Sequence, residues 1–147
     1  MRICVFGAGA IGGNFAARLA DSGNEVSVVA RGAHLEAIRA KGLTLLAGDK
    51  KIVAKVHASD KPADLGPQDA VISTLKATAL GDLAATVGPL LGPDTPVVFA
   101  QNGIPWWYGH GLSNLRPAAR ANISGARTIE SISIGRPSWQ SCRIDTW

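Results

Sequence analysis

The run Arg2-Ile3-Cys4-Val5-Phe6-Gly7-Ala8-Gly9-Ala10-Ile11-Gly12 leaves few folds open to this chain. Ile3 to Phe6 is apolar over the length that a buried parallel strand needs. The run stops at glycines spaced Gly7-x-Gly9-x-x-Gly12. From Ala10 the pattern turns helical, with Ile11, Phe15 and Leu19 on one face. In a strand–turn–helix of this spacing each glycine has its own task. Gly7 allows the tight turn, Gly9 lets backbone amides approach a diphosphate, and Gly12 lets the helix lie close to the strand. The helix start adds N–H groups without intrahelical partners and a partial positive charge, both suited to an anion.

The first helix is predicted from Ala10 to Ser22, with Gly23 just past its end as a C-cap. Glu25 to Ala30 is β-branched and reads as a second buried strand. A parallel pair needs such a crossover, so residues 2–30 form one right-handed βαβ unit. Arg31-Gly32 follows the second strand. An acid at this point would take the ribose hydroxyls of NAD. A guanidinium instead pairs with a 2′-phosphate through charge-assisted bonds, so Arg31 points to NADP(H).

Residues 33–41 predict a short helix with Leu35 and Ile38 inward, His34 as a surface or capping residue, and Gly42 closing it. Leu43 to Leu46 and Ile52 to Val56, around Gly48-Asp49-Lys50-Lys51, predict an antiparallel hairpin inserted at the sheet edge. Asp60 to Gln68 reads as a loop. Asp69 to Leu75 is a buried strand ending at Lys76. Residues 79–91 form an amphipathic helix with Leu80, Leu83, Ala84, Val87 and Leu90 or Leu91 inward. Pro96 to Ala100 is a further strand, ending at Gln101-Asn102-Gly103. Strands alternating with helices predict an α/β fold: a Rossmann-type, doubly wound, mostly parallel sheet with helices on both faces.

In such sheets ligands bind beyond the carboxyl ends of the strands. The glycine turn, Arg31, Lys76 and Asn102 are all expected at that rim. Reducing a carbonyl requires hydride delivery and stabilisation of the oxygen that becomes an alkoxide. Lys76 offers a cation for that oxygen or for a substrate acid group. Asn102 offers an amide donor and acceptor. Each also has a plain structural reading, as a solvated lysine after a strand and as a turn residue before Gly103.

With 147 residues, 46% hydrophobic and 18% charged, the chain has the composition of one globular domain. It shows neither a bilayer-length apolar run nor a cleavable leader, which predicts a cytoplasmic protein. Cys4 and Cys142 suggest neither a disulfide framework nor a metal site, and no metal is expected. Of the net charge of +4, +3 lies in residues 116–147, where five arginines face Glu130 and Asp145. Those arginines are scattered, so nucleic acid is not expected as a partner, and without a bilayer-length apolar run neither is a membrane. Beyond Leu112 the periodicity fades. Thr128 to Ile134 is a marginal strand, and residues 112–147 read as an irregular basic tail.

Gly7-Ala8-Gly9-Ala10-Ile11-Gly12, Val29-Ala30-Arg31-Gly32, Asp69-Ala70-Val71-Ile72 through Lys76-Ala77, and Gln101-Asn102-Gly103-Ile104-Pro105-Trp106-Trp107 together resemble the N-terminal half of the ketopantoate reductase family, over residues 1–111. The resemblance implies NADPH-dependent reduction of 2-dehydropantoate to pantoate, on the route to pantothenate and coenzyme A. It assigns Gly7, Ala8, Gly9, Ala10, Ile11 and Gly12 to the pyrophosphate and Arg31 to the 2′-phosphate. It places Lys76 and Asn102 near the nicotinamide and the 2-oxoacid substrate. The family carries a further helical domain with a catalytic lysine, much of the substrate pocket and the dimer interface. That domain is absent from these 147 residues, so the tail is expected to be truncated or frameshifted. A homodimer, or a separate chain supplying the domain, is the expected partner. The alternative is a non-catalytic NADP-binding module.

Overall fold

The computed structural model describes residues 1–102 and the strands Thr128–Ile129 and Cys142–Ile144. Strands β1 (Arg2–Phe6), β2 (Glu25–Val29), β3 (Leu43–Ala47), β4 (Lys50–Ala54), β5 (His57–Ser59), β6 (Ala70–Ser73), β7 (Val97–Phe99), β8 (Thr128–Ile129) and β9 (Cys142–Ile144) follow one another. The helices are α1 (Ala10–Asp21), α2 (Gly32–Lys41) and α3 (Leu80–Thr86). Six strands form a parallel sheet in the order β5-β2-β1-β6-β7-β8. Counting only these six, the order is 3-2-1-4-5-6, that of the doubly wound dinucleotide-binding fold. It reverses between β1 and β6, which opens a crevice at the carboxyl end of β1.

Alternation along β1 feeds two cores. Val5 packs on one face with Ala16 and Ala17 of α1 and Leu35 and Ile38 of α2. Cys4 and Phe6 pack on the other with Leu80 and Leu83 of α3. Helices therefore cover both faces, as the pattern predicts. Burial in this apolar layer pushes the Cys4 thiol up to about 12, so Cys4 is a core residue and a poor nucleophile.

The first βαβ unit follows its sequence signals closely. Gly23 sits at φ +86°, where a left-handed residue ends a helix. Its N–H reaches the Ala20 carbonyl, and the Asn24 N–H reaches that of Leu19. These two bonds make a Schellman cap. The inner face of α1 differs from expectation. Gly12, Gly13, Asn14, Ala16 and Ala17 are its buried residues, whereas Ile11 is 42% exposed. Small residues win because the helix lies too near the sheet for large ones. Phe15 and Leu19 are half-buried and pack on the cluster that contains Leu43, Leu45 and Ile52.

That cluster corrects the placement of the hairpin. β3 and β4 pair antiparallel, but they belong to a second sheet of order β4-β3-β9 and pack over α1. β5, which the sequence pattern does not mark, takes the edge beside β2. The reason lies in which apolar side chains need cover. Leu43, Leu45, Ile52 and Ala54 share one face of the hairpin, and α1 and α2 close over it. Lys50 Nζ adds a 2.9 Å ion pair to Asp21 of α1.

The predicted helix over 79–91 is also shorter than its periodicity suggests. A 3-10 turn at Ala77–Ala79 leads into α3, and another at Gly88–Leu90 replaces its last turn. Pro89 has no N–H to donate back along an α-helix, so the α-helix stops at Thr86 and a 3-10 turn follows. Leu80, Leu83, Val87 and Leu90 are still buried, and each such side chain contributes about 1.5–3 kcal/mol. A helix this short depends on that burial.

Two short strands lie within residues 112–147, which the pattern reads as irregular. β8 extends the parallel sheet beside β7, and β9 pairs with β3. The rest of the expected strand over 128–134 lies outside the described residues. Among the described residues, no helix is long and apolar enough to cross a membrane.

Candidate functional site

β1 ends in a turn that only glycine can make. Gly7 has φ +102°, and its N–H donates to the Val29 carbonyl oxygen at 3.0 Å, which ties the turn to β2. A Cβ on Gly7 would lie 2.8 Å from Leu75 Cδ2. At Gly12 the crowding is worse: a Cβ would fall on the Gly7 carbonyl oxygen and 2.5 Å from Thr74 Oγ1. Thr74 is a partner the sequence reading missed. Its hydroxyl donates to the Gly7 carbonyl oxygen at 2.6 Å and its N–H to that of Phe6 at 3.0 Å, fixing the turn from the β6 side.

Gly9 is the opposite case. A Cβ there would meet nothing within 4 Å, so the residue faces open space. It is also the N-cap of α1, which has no side-chain cap bond and no acid in its first turn. Helix-start N–H groups need outside partners. Here that start follows a turn whose geometry Gly7 and Gly12 hold.

An open cleft of about 320 Å³ runs from this turn along the end of β2. Its lining comes from Phe6, Gly7, Ala8 and Gly9 at the end of β1, from Val29, Ala30 and Arg31 at the end of β2, and from Leu75, Ala79 and Asp82. Arg31 is extended (φ −134°, ψ 156°), caps α2 and is exposed. Its Nη1 stands 3.7 Å from Asp82 Oδ2 across the cleft.

His34 proves to be part of this lining rather than a plain surface residue. Its Nε2 lies 2.6 Å from the Ala8 carbonyl oxygen, and the half-buried ring lines the cleft. A carbonyl only accepts, so Nε2 carries the hydrogen and donates. The bond ties α2 to the glycine turn. No local pattern announces it, because Ala8 and His34 meet only once β1 and β2 are paired.

The structure brings Gly7, Ala8, Gly9 and Arg31 onto one cleft, with Ala10, Ile11 and Gly12 in the first turn of the helix beside it. Lys76 and Asn102 do not line it. Lys76 is exposed after β6, where it caps the 3-10 turn, and Asn102 is exposed three residues past β7. Both stand at carboxyl ends of parallel strands, as expected. Beside Asn102, Gln101 Oε1 is buried without a hydrogen-bond partner among the described residues.

Comparison with known proteins bears on the family and the fold. Residues 3–134 match the family model described as ketopantoate reductase PanE/ApbA, a match that runs past residue 111. The 2-dehydropantoate 2-reductase of Mesorhizobium japonicum is 50% identical over 123 residues, covering 83% of this chain and 38% of that protein. A solved structure from Ralstonia solanacearum MolK2, provisionally named a ketopantoate reductase, superposes with a TM-score of 0.69. It is 49% identical and covers 72% of this chain and 33% of its own. A D-mandelate dehydrogenase solved with NADH and anilino(oxo)acetate superposes with a TM-score of 0.64 at 31% identity, covering 71% of this chain and 34% of its own. The chain thus spans about a third of the length of these relatives. By its family match, its sheet order and its glycine turn, the chain belongs to the ketopantoate reductase PanE/ApbA family.

Proposed function

We propose that this chain binds NADP(H) along the cleft and forms the coenzyme-binding part of a reductase that converts 2-dehydropantoate to pantoate. The observation that carries the reading is one cleft lined by both the glycine turn and Arg31. The residues fit a dinucleotide. Gly9 leaves room for a diphosphate against the uncapped start of α1, and no acid in the first turn repels it. Gly7, Ala8, Gly9, Ala10, Ile11 and Gly12 form the cradle. Arg31 stands where the adenosine ribose lies in this fold, and its fork suits a 2′-phosphate.

A nicotinamide coenzyme held by the glycine turn and Arg31 would supply the hydride that reduces the substrate's keto carbon. The Lys76 ammonium would attract the substrate carboxylate or the oxygen that gains charge in that step. Asn102 would hold an amide or carbonyl group at the same rim through its donor and acceptor. Residues 1–111 carry these roles, with β8 extending their sheet. A small 2-oxoacid is the proposed substrate.

A second reading, a coenzyme-binding module without turnover, is favoured by one fact: neither Lys76 nor Asn102 lines the cleft. Both readings predict NADPH binding, and they separate on catalysis. Purified protein is mixed with NADPH and ketopantoate, alone and with added candidate partner chains, and loss of NADPH absorbance is followed. Turnover by the chain alone excludes the second reading. Binding without turnover under any of these conditions excludes the first.

A further inference from the structure

We propose that Asp82 opposes the 2′-phosphate at Arg31 and so narrows the chain's preference for NADPH over NADH. The inference rests on the coenzyme reading of the cleft and adds a residue that sets its selectivity. Arg31 and Asp82 come from opposite sides of the sheet. Arg31 follows β2 and caps α2, while Asp82 lies in the first turn of α3. Both line the cleft, and Arg31 Nη1 is 3.7 Å from Asp82 Oδ2. Their side chains are 65% and 66% exposed, so the pair is solvated and adds little to stability.

The same geometry matters more once a phosphate arrives. A 2′-phosphate on the Arg31 fork brings a charge of about −1.5 to −2 to within a guanidinium's width of the Asp82 carboxylate. It must also displace that carboxylate from any donor the two would share. A ribose 2′-hydroxyl meets no such penalty, and a carboxylate is the group that accepts from it in NAD-type sites. The cleft therefore holds both selectors, a guanidinium that favours the phosphorylated coenzyme and a carboxylate that works against it.

Removing the charge without changing the shape tests this. Asp82→Asn, and Asp82→Ser as a second variant, are titrated with NADPH and with NADH at low and at high salt. In both variants NADPH is expected to bind roughly three- to tenfold more tightly than to the parent at low ionic strength. Salt should shrink the gain, because both groups are exposed. NADH should shift by less than about twofold, the diphosphate being farther away. Asp82→Glu should restore the parent ratio, and Arg31→Ala in the Asp82→Asn background should abolish the NADPH gain. NADPH binding that is unchanged or weaker in Asp82→Asn overturns the proposal, as does an equal gain for both coenzymes. If the parent binds neither coenzyme, the coenzyme reading itself falls. If it binds them and the ratio does not move, only the role of Asp82 falls.

Discussion

At the glycine turn the cleft is walled by backbone, and at Arg31 by exposed side chains. The turn is crowded: Gly12 has no room for a methyl, Gly7 has φ +102°, and Thr74 and His34 bond to its carbonyls at 2.6 Å. The Arg31 end is loose, with a 3.7 Å ion pair between two solvated side chains. Backbone amides recognise any diphosphate and depend on the fold for their direction. Exposed charges can change without harm to the fold, and in the proposed function they would tell one coenzyme from another. On the proposed coenzyme reading, affinity would rest on the backbone turn and selectivity on exposed side chains.

Substitutions at the two ends should fail in different ways. The largest effect is expected for Gly12→Val. Its side chain has to displace the Gly7 carbonyl and Thr74, and overpacking of this kind costs about 3 kcal/mol or more. Thermal unfolding should drop sharply, and both coenzymes should lose binding together. A stable, binding-competent Gly12→Val would break the claim that the turn is rigid. Arg31→Ala comes next. It should keep the parent melting temperature and weaken NADPH by about 1.5–3 kcal/mol, the worth of a charge-assisted bond, with a much smaller effect on NADH. Equal losses would remove Arg31 as the selector.

His34→Leu belongs to the turn. Losing its bond to Ala8 should cost about 1 kcal/mol of affinity for both coenzymes alike, read from paired titrations. A loss confined to NADPH would assign His34 to the other end. Smallest is Lys50→Ala, which removes the exposed ion pair to Asp21 far from the cleft. It should cost less than about 0.5 kcal/mol of stability and leave binding untouched. Cys4 supplies a pH test of the core beneath the turn. Its thiol is pushed from 9.0 to about 12 in the folded chain, while the unfolded chain ionises earlier. Stability should therefore fall as pH rises from 9.0 towards 12, and denaturant titrations across that range should show it.

Much of this was legible in the sequence where the signal is local. The glycine spacing marked the turn, Gly23 and Gly42 marked helix ends, and strand residues such as Val28 and Val71 marked the core. Arg31 was legible because its place is fixed by the end of β2. The parts that were not legible depend on partners distant in sequence. His34 meets Ala8 only through the pairing of β1 with β2, and Asp82 meets Arg31 only through α3 packing on the opposite face. The hairpin's pairing was local, but its docking over α1 was decided by which apolar face needed cover. α3 shows the reverse error, since apolar spacing continues through Leu90 although Pro89 ends the helix first.

The most direct test of the account is a calorimetric titration of the folded protein with NADPH and with NADH. Binding of both, with NADPH tighter and its advantage lost in Arg31→Ala, is the predicted result. Heat from neither coenzyme, or tighter binding of NADH by the parent chain, would contradict it.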